Sequence, residues 1–319
     1  MDEESRRATA LETWKVYRRW AIAAVRMKAR RERWRRAVFW LGLLGLLLGP
    51  LAGLRPASWP APLIQAIALA SGVSVALAAY LSDRVLGPDP DVAWVRARQA
   101  AEGLESLVFA FLMRAPPFPG GPGDGDVLAE ARARIEDGLS GLVAEPIPPG
   151  RAEEGFPPSP LGAGEYVALR AERQQAWLEG KLVENHRTAE RLEALTKVLG
   201  AAAAILSVPT AFWSGHGWIA VVTSVAGALG SQLAAGRYRF LERSYHETAA
   251  RLARSVARWR GSPRGPDDDR RLVDECERAL REENAAWVEA MLSRPGGTPR
   301  PAAPAGPPSG PGVALPARP

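Results

Sequence analysis

One thiol, Cys276, and three imidazoles, His186, His216 and His246, are the only cysteine and histidine side chains in the 319 residues. A lone cysteine excludes an internal disulfide and any cysteine-based zinc site, and histidines this widely separated lack the short spacings of a zinc-binding motif. Cys276 falls on the inner stripe of an amphipathic segment, where a thiol acts as a small hydrophobe. Gly120 to Asp126 has the oxygen-rich composition of a calcium loop, but it lacks the bidentate glutamate downstream and reads as a solvated linker. No phosphate-cradling glycine loop, serine elbow or pair of catalytic acids stands at a workable spacing. The expectation is a protein that is not an enzyme, with no catalytic residue, metal or cofactor.

What the chain has instead is apolar surface. Four stretches, Ala37 to Leu54, Pro62 to Leu81, Val198 to Trp213 and Gly217 to Ala235, contain no charged residue and fall into two pairs. A bilayer core of roughly 30 Å takes about 20 helical residues at about 1.5 Å each, so these lengths predict spans. The third is short and needs Ala194 to Lys197, with Lys197 reaching the headgroups. The fold class expected is all-α: a membrane protein with four transmembrane helices as two tandem hairpins with cytoplasmic helical extensions.

Orientation follows from charge. Met1 to Arg36 holds 12 basic and 5 acidic residues, including the run Arg30, Arg31, Arg33, Arg35 and Arg36, and Gly236 to Gly261 holds seven arginines. Positive charge beside span ends stays in the cytoplasm. Both termini are therefore expected on the cytoplasmic side of the membrane, with Arg55 to Ala61 and Ser214 to His216 outside. Trp20 and Trp34 interleave with the basic run, a pattern that nucleic acid binding also uses. Next to a span, topology and attraction to anionic lipid explain it, and no nucleic acid partner is expected.

Inside the spans, small residues recur at helix-packing spacing: Gly45, Gly49 and Gly53 in the first, Ala68, Gly72 and Ala76 in the second, Gly227 and Gly230 in the fourth. Such notches let helices approach closely within a hairpin or in a homo-oligomer. Polar residues there are uncharged, which leaves no carboxylate for proton or ion coupling.

Outside the spans, residues 1–36 read as a basic helix continuous with the first span. Residues 82–114 contain a helix from Val92 to Arg114 with Trp94, Ala97, Ala101, Leu104 and Leu107 on one face. Residues 115–163 are a Pro/Gly-rich linker with one short helix, Val127 to Val143. The second hairpin unit, 164–292, has spans near 195–213 and 217–235. Its incoming helix, Glu165 to Ala194, and its outgoing helix are expected to pair antiparallel. The outgoing seam is Tyr238, Leu241, Tyr245, Ala249, Leu252, Val256 and Trp259, a coiled-coil pattern. An amphipathic helix from Arg271 to Leu292 follows. Nine prolines between 293 and 319 predict a disordered tail.

Two passages carry a family resemblance. Tyr166-Val-Ala-Leu-Arg170, then Gln174 or Gln175, Trp177 and Lys181, a hairpin, and an acidic helix ending Glu283-Asn284-Ala-Ala-Trp287, resemble the bacterial SLATT domain, the SMODS and SLOG-associating two-transmembrane effector. Trp94, Arg98 and Glu102, directly after the first hairpin, resemble the matching passage of a sister domain, and the two together are similar to a tandem SLATT arrangement. The resemblance implies a membrane-perturbing or pore-forming effector of a bacterial conflict system, released by a nucleotide-sensing or nucleotide-synthesising partner. It carries over no catalytic residue. The alternative is a non-conducting scaffold whose cytoplasmic helices and Pro-rich tail recruit soluble partners. Trp94, Glu102, Tyr166, Arg170, Trp177 and Trp287 are expected to hold the cytoplasmic helices together, with Arg170 reaching Glu102 or Glu283.

Overall fold

The computed structural model describes residues 1–53, 58–85, 88–144, 146–148, 150–207 and 216–293. Helices α1 (Glu3–Gly53), α2 (Ala61–Val85) and α3 (Pro88–Leu112) make the first unit, followed by α4 (Asp124–Asp137). Helix α5 (Ala163–Tyr166) runs through a π-helical turn, Val167–Ala171, into α6 (Glu172–Ser207), and α7 (His216–Gly236), α8 (Tyr238–Arg260) and α9 (Pro266–Leu292) complete the chain. Among the described residues the fold is all-helical, with no strand.

The basic arm and first apolar stretch are one helix, since no proline or glycine interrupts α1 before Gly42. Helix α9 starts earlier than its hydrophobic stripe suggests: Pro266 fits the first helical position, and Asp267, Asp268 and Asp269 complement the positive end of the helix dipole. Helix α4 likewise starts at Asp124, ahead of Val127, and ends at Asp137, short of Val143.

Helices α1 and α2 contain windows long and apolar enough to cross a membrane, and only 11% of each window is buried. Leu69 and Val73 on α2 and Trp40 on α1 are exposed. Among the described residues two such helices are found, not four. Helix α7 carries only a shorter apolar run, Val221–Gly230, among the described residues, and much of the third stretch, with Pro209 and the loop at 214–215, lies outside them.

Within the first hairpin the notch is real but narrower than the spacing suggests. Ser71 Oγ donates to the Gly45 carbonyl at 2.7 Å. A Cβ at Gly45 would lie 2.5 Å from Val75 Cγ2 and 3.0 Å from the Ser71 carbonyl, and one at Gly49 would lie 3.2 Å from Ser71 Oγ. Gly53, Gly227 and Gly230 meet nothing within 4 Å, so they are not packing notches against any described residue. On α2 the buried positions are Ser74 and Ala78, whereas Ala68, Gly72 and Ala76 face outward. Gly45→Leu is expected to destabilise the hairpin by about 1–3 kcal/mol through overpacking, read as a lower melting temperature in detergent. Gly53→Leu should leave it unchanged.

Away from the hairpin, one core draws on both halves of the chain. Ala10, Trp14 and Trp20 of α1 join Val95, Leu104 and Phe109 of α3, Tyr166 and Leu178 of the α5–α6 helix, Leu252 of α8 and Val273 of α9. The seam of α8 is consumed within this core, against both α6 and α9 and not α6 alone. The proline-rich connector is also anchored. Phe118 stands edge-on to Phe111 at 5.3 Å and Phe156 to Trp14 at 5.8 Å.

Candidate functional site

The core is polar at one point, where an arginine has left water. Arg170 lies in the π-helical turn and is 1% exposed. Removing a guanidinium from water requires counter-ions and satisfied donors, and two helices supply them. Its Nε and Nη2 donate to the two carboxylate oxygens of Glu277 on α9, at 3.1 and 3.3 Å. Its Nη1 donates to Glu105 Oε2 on α3 at 2.6 Å. Arg173 Nη2 donates to the other Glu105 oxygen at 2.9 Å, and the Tyr166 hydroxyl donates to Glu277 Oε1 at 3.0 Å. The cluster thus has two positive and two negative groups.

Tyr166 and Arg170, four residues apart, fall on the same side of their helix, and both reach Glu277. Burial opposes charge on Arg170, but Glu105 and Glu277 outweigh it and hold the guanidinium protonated. Burial, then Glu277, drives the Tyr166 phenol well above its ordinary value, so it stays a donor. These partners correct the expected ones: Arg170 pairs with Glu105 and Glu277, not with Glu102 or Glu283. Glu102 is half-buried nearby, and its carboxyl is pushed up by desolvation against the pull of Arg170.

A second cluster lies beside the first. The Arg98 guanidinium sits 3.9 Å from the Trp287 ring centroid and 5.6 Å from that of Trp177, a cation held between two aromatic faces. Trp94 meets Trp287 edge-on at 5.3 Å, and Trp177 meets Tyr245 at 5.8 Å. Arg31 lies 5.5 Å over Trp94 and brings α1 to the group. Beside it Glu283, 9% exposed, has a carboxylate oxygen with no hydrogen-bond partner. Burial pushes its pKa up to about 7 despite Arg98. Trp94, Arg98, Trp177 and Trp287 therefore meet in one place, and Tyr166, Arg170 and Glu102 in the adjoining one. Arg30, Arg33, Arg35 and Arg36 follow α1 toward its apolar segment.

Sequence reasoning missed a third pairing. Arg6, 1% exposed, donates to Asp124 Oδ2 at 3.1 Å and to the Phe111 carbonyl at 2.7 Å. Asp124 Oδ2 also accepts from the Gly120 N–H at 2.9 Å. The oxygen-rich loop serves as counter-ion for α1.

Cys276 is buried, and burial followed by Glu277 pushes its thiol up to about 12, leaving it neutral and unreactive. No group of three metal-ligating side chains occurs among the described residues. Charge is used to join α3, the π-helical turn and α9.

Residues 166–287 match the family model of the SMODS and SLOG-associating 2TM effector domain 1. Residues 13–122 match a second family, described as a protein of unknown function, DUF4231. No curated protein and no solved structure matches the chain. The two matches meet at the buried ion cluster, with Glu105 in one and Arg170 and Glu277 in the other.

Proposed function

Because this is a SLATT-domain protein, we propose that it is a membrane effector that acts by self-assembling in the lipid and permeabilising the bacterial inner membrane. In this reading the two apolar pairs form four spans, both termini and the helical body are cytoplasmic, and no reaction is catalysed. The observation that supports it most is the outward stripe Ala68, Gly72 and Ala76, left open on an α2 whose apolar window is largely unburied. Lipid removes the hydrophobic drive between helices, so small residues facing outward favour a neighbouring hairpin. Uncharged walls suit an unselective path. The trigger would be a nucleotide-sensing or nucleotide-synthesising partner, in keeping with the family's name. The scaffold reading loses the α8 seam as a docking face, because Tyr245 and Leu252 are buried in the chain's own core, while the Pro-rich tail lies outside the described residues.

The test is expression in bacteria together with the neighbouring genes, read with a membrane-potential dye. Depolarisation is expected, and Gly72→Leu should abolish both depolarisation and the oligomer in mild detergent while leaving the melting temperature unchanged. Intact potential under every condition, or depolarisation by a strictly monomeric variant, contradicts the reading.

A further inference from the structure

Three arginines on three helices, Arg96 on α3, Arg134 on α4 and Arg281 on α9, line one cleft of about 420 Å³. No carboxylate lines it among the described residues. Among the described residues Arg96 has no ion pair, Arg134 has only a loose exposed one to Glu130 at 3.7 Å, and Arg281 reaches no more than the Ser106 hydroxyl at 3.5 Å. The comparison within this molecule is the arginine cluster between α8 and α9, where three of the four arginines are answered by a carboxylate. Arg258 pairs with Glu275 at 2.7 Å, Arg251 with Glu282 at 2.6 Å, and Arg278 with Asp274. The first cleft concentrates positive charge that no carboxylate of its described lining answers.

The rest of the lining fits an organic body. Ile135 and Leu139 form an apolar wall facing α3, and Gly103 allows that approach, since a Cβ there would stand 3.3 Å from Ile135 Cδ1. The carboxamides of Gln99 and Asn284 supply both donors and acceptors. A volume in the range of ordinary small-molecule sites, with an apolar wall and a few convergent polar groups, is how such ligands are held. Guanidinium groups bind phosphate oxygens through paired parallel hydrogen bonds.

We propose that this cleft binds a phosphate-bearing organic anion of nucleoside-phosphate size. Its phosphates lie on Arg96, Arg134 and Arg281 and its flat body lies against Ile135 and Leu139. Since α3 and α4 belong to the first half of the chain and α9 to the second, the ligand clamps the two halves. This goes beyond the membrane reading and does not depend on it.

Full-length protein in detergent, titrated with ATP and separately with inorganic pyrophosphate, tests it by calorimetry and thermal shift. ATP is expected to bind saturably, to raise the melting temperature, and to bind more tightly than pyrophosphate, which lacks the organic body. Arg96→Ala with Arg281→Ala, and separately Arg134→Ala, should each weaken ATP by at least about tenfold, as loss of charge-assisted contacts does. Arg254→Ala, in the other cluster, should not. Absence of saturable ATP binding, unchanged affinity in the cleft variants, or equal affinity for pyrophosphate overturns the assignment.

Discussion

Arg170→Met is expected to destabilise the folded chain by about 3–5 kcal/mol, a large part of the roughly 5–15 kcal/mol that holds an ordinary domain together. The loss comes less from the attraction removed than from what stays behind. Glu277, 1% exposed, would keep only the Tyr166 hydroxyl, and Glu105, 3% exposed, only Arg173. Arg170→Lys should recover only part of the loss, because an ammonium cannot donate in parallel to both oxygens of Glu277. Neutralising all three positions together, as Arg170→Met, Glu105→Gln and Glu277→Gln, should be markedly milder than Arg170→Met alone, since no buried charge is then stranded. Denaturant unfolding in detergent measures each variant. A triple variant no better than the single would show that Arg170 matters for packing and not for charge.

Glu283→Gln should stabilise the protein above neutral pH and leave it unchanged at pH 4. The folded pKa of Glu283 is about 7 against an ordinary 4.5. The folded state therefore holds its proton where the unfolded state has lost it. The stabilising contribution is fully present below about 4.5 and is lost as pH rises through about 7. A difference of that size corresponds to about 3 kcal/mol at the alkaline end. Glutamine keeps the shape and has no proton to lose, so the gap between variant and parent in melting temperature should open between pH 5 and 8. Parallel pH profiles for the two proteins would show that Glu283 is solvated and ordinary.

The aromatic cluster was legible in the sequence because its side chains are rare and stand at spacings that put them on one helical face: Trp94, Arg98 and Ala101 follow one another at four and three. Continuing that rhythm reaches Glu105, a carboxylate on the same stripe as Arg98. That signal was present and went unread, because acidic residues on helices are common and usually solvated. Glu277 hid the same way beside Cys276. The Arg6 to Asp124 pairing had no local signature, since it joins residues 118 apart through tertiary packing alone. Composition misled in the connectors, where proline and glycine gave no sign that Phe118 and Phe156 would be anchored. On α2, the outward stripe of small residues and the inward stripe of Ser74 and Ala78 have nearly the same spacing, and only the partner helix distinguishes them.

In the proposed function lipid surrounds the α1–α2 hairpin while the body that joins the chain's two halves remains in the cytoplasm. Cysteine labelling of spheroplasts with a membrane-impermeant maleimide addresses it directly, because buried Cys276 gives no background. Ser58 in the α1–α2 loop and Glu130 on α4 are both exposed and suit substitution. Ser58→Cys is predicted to label in intact spheroplasts, and Glu130→Cys only after permeabilisation. Equal labelling of both before permeabilisation, or labelling of Glu130→Cys alone, would contradict the account.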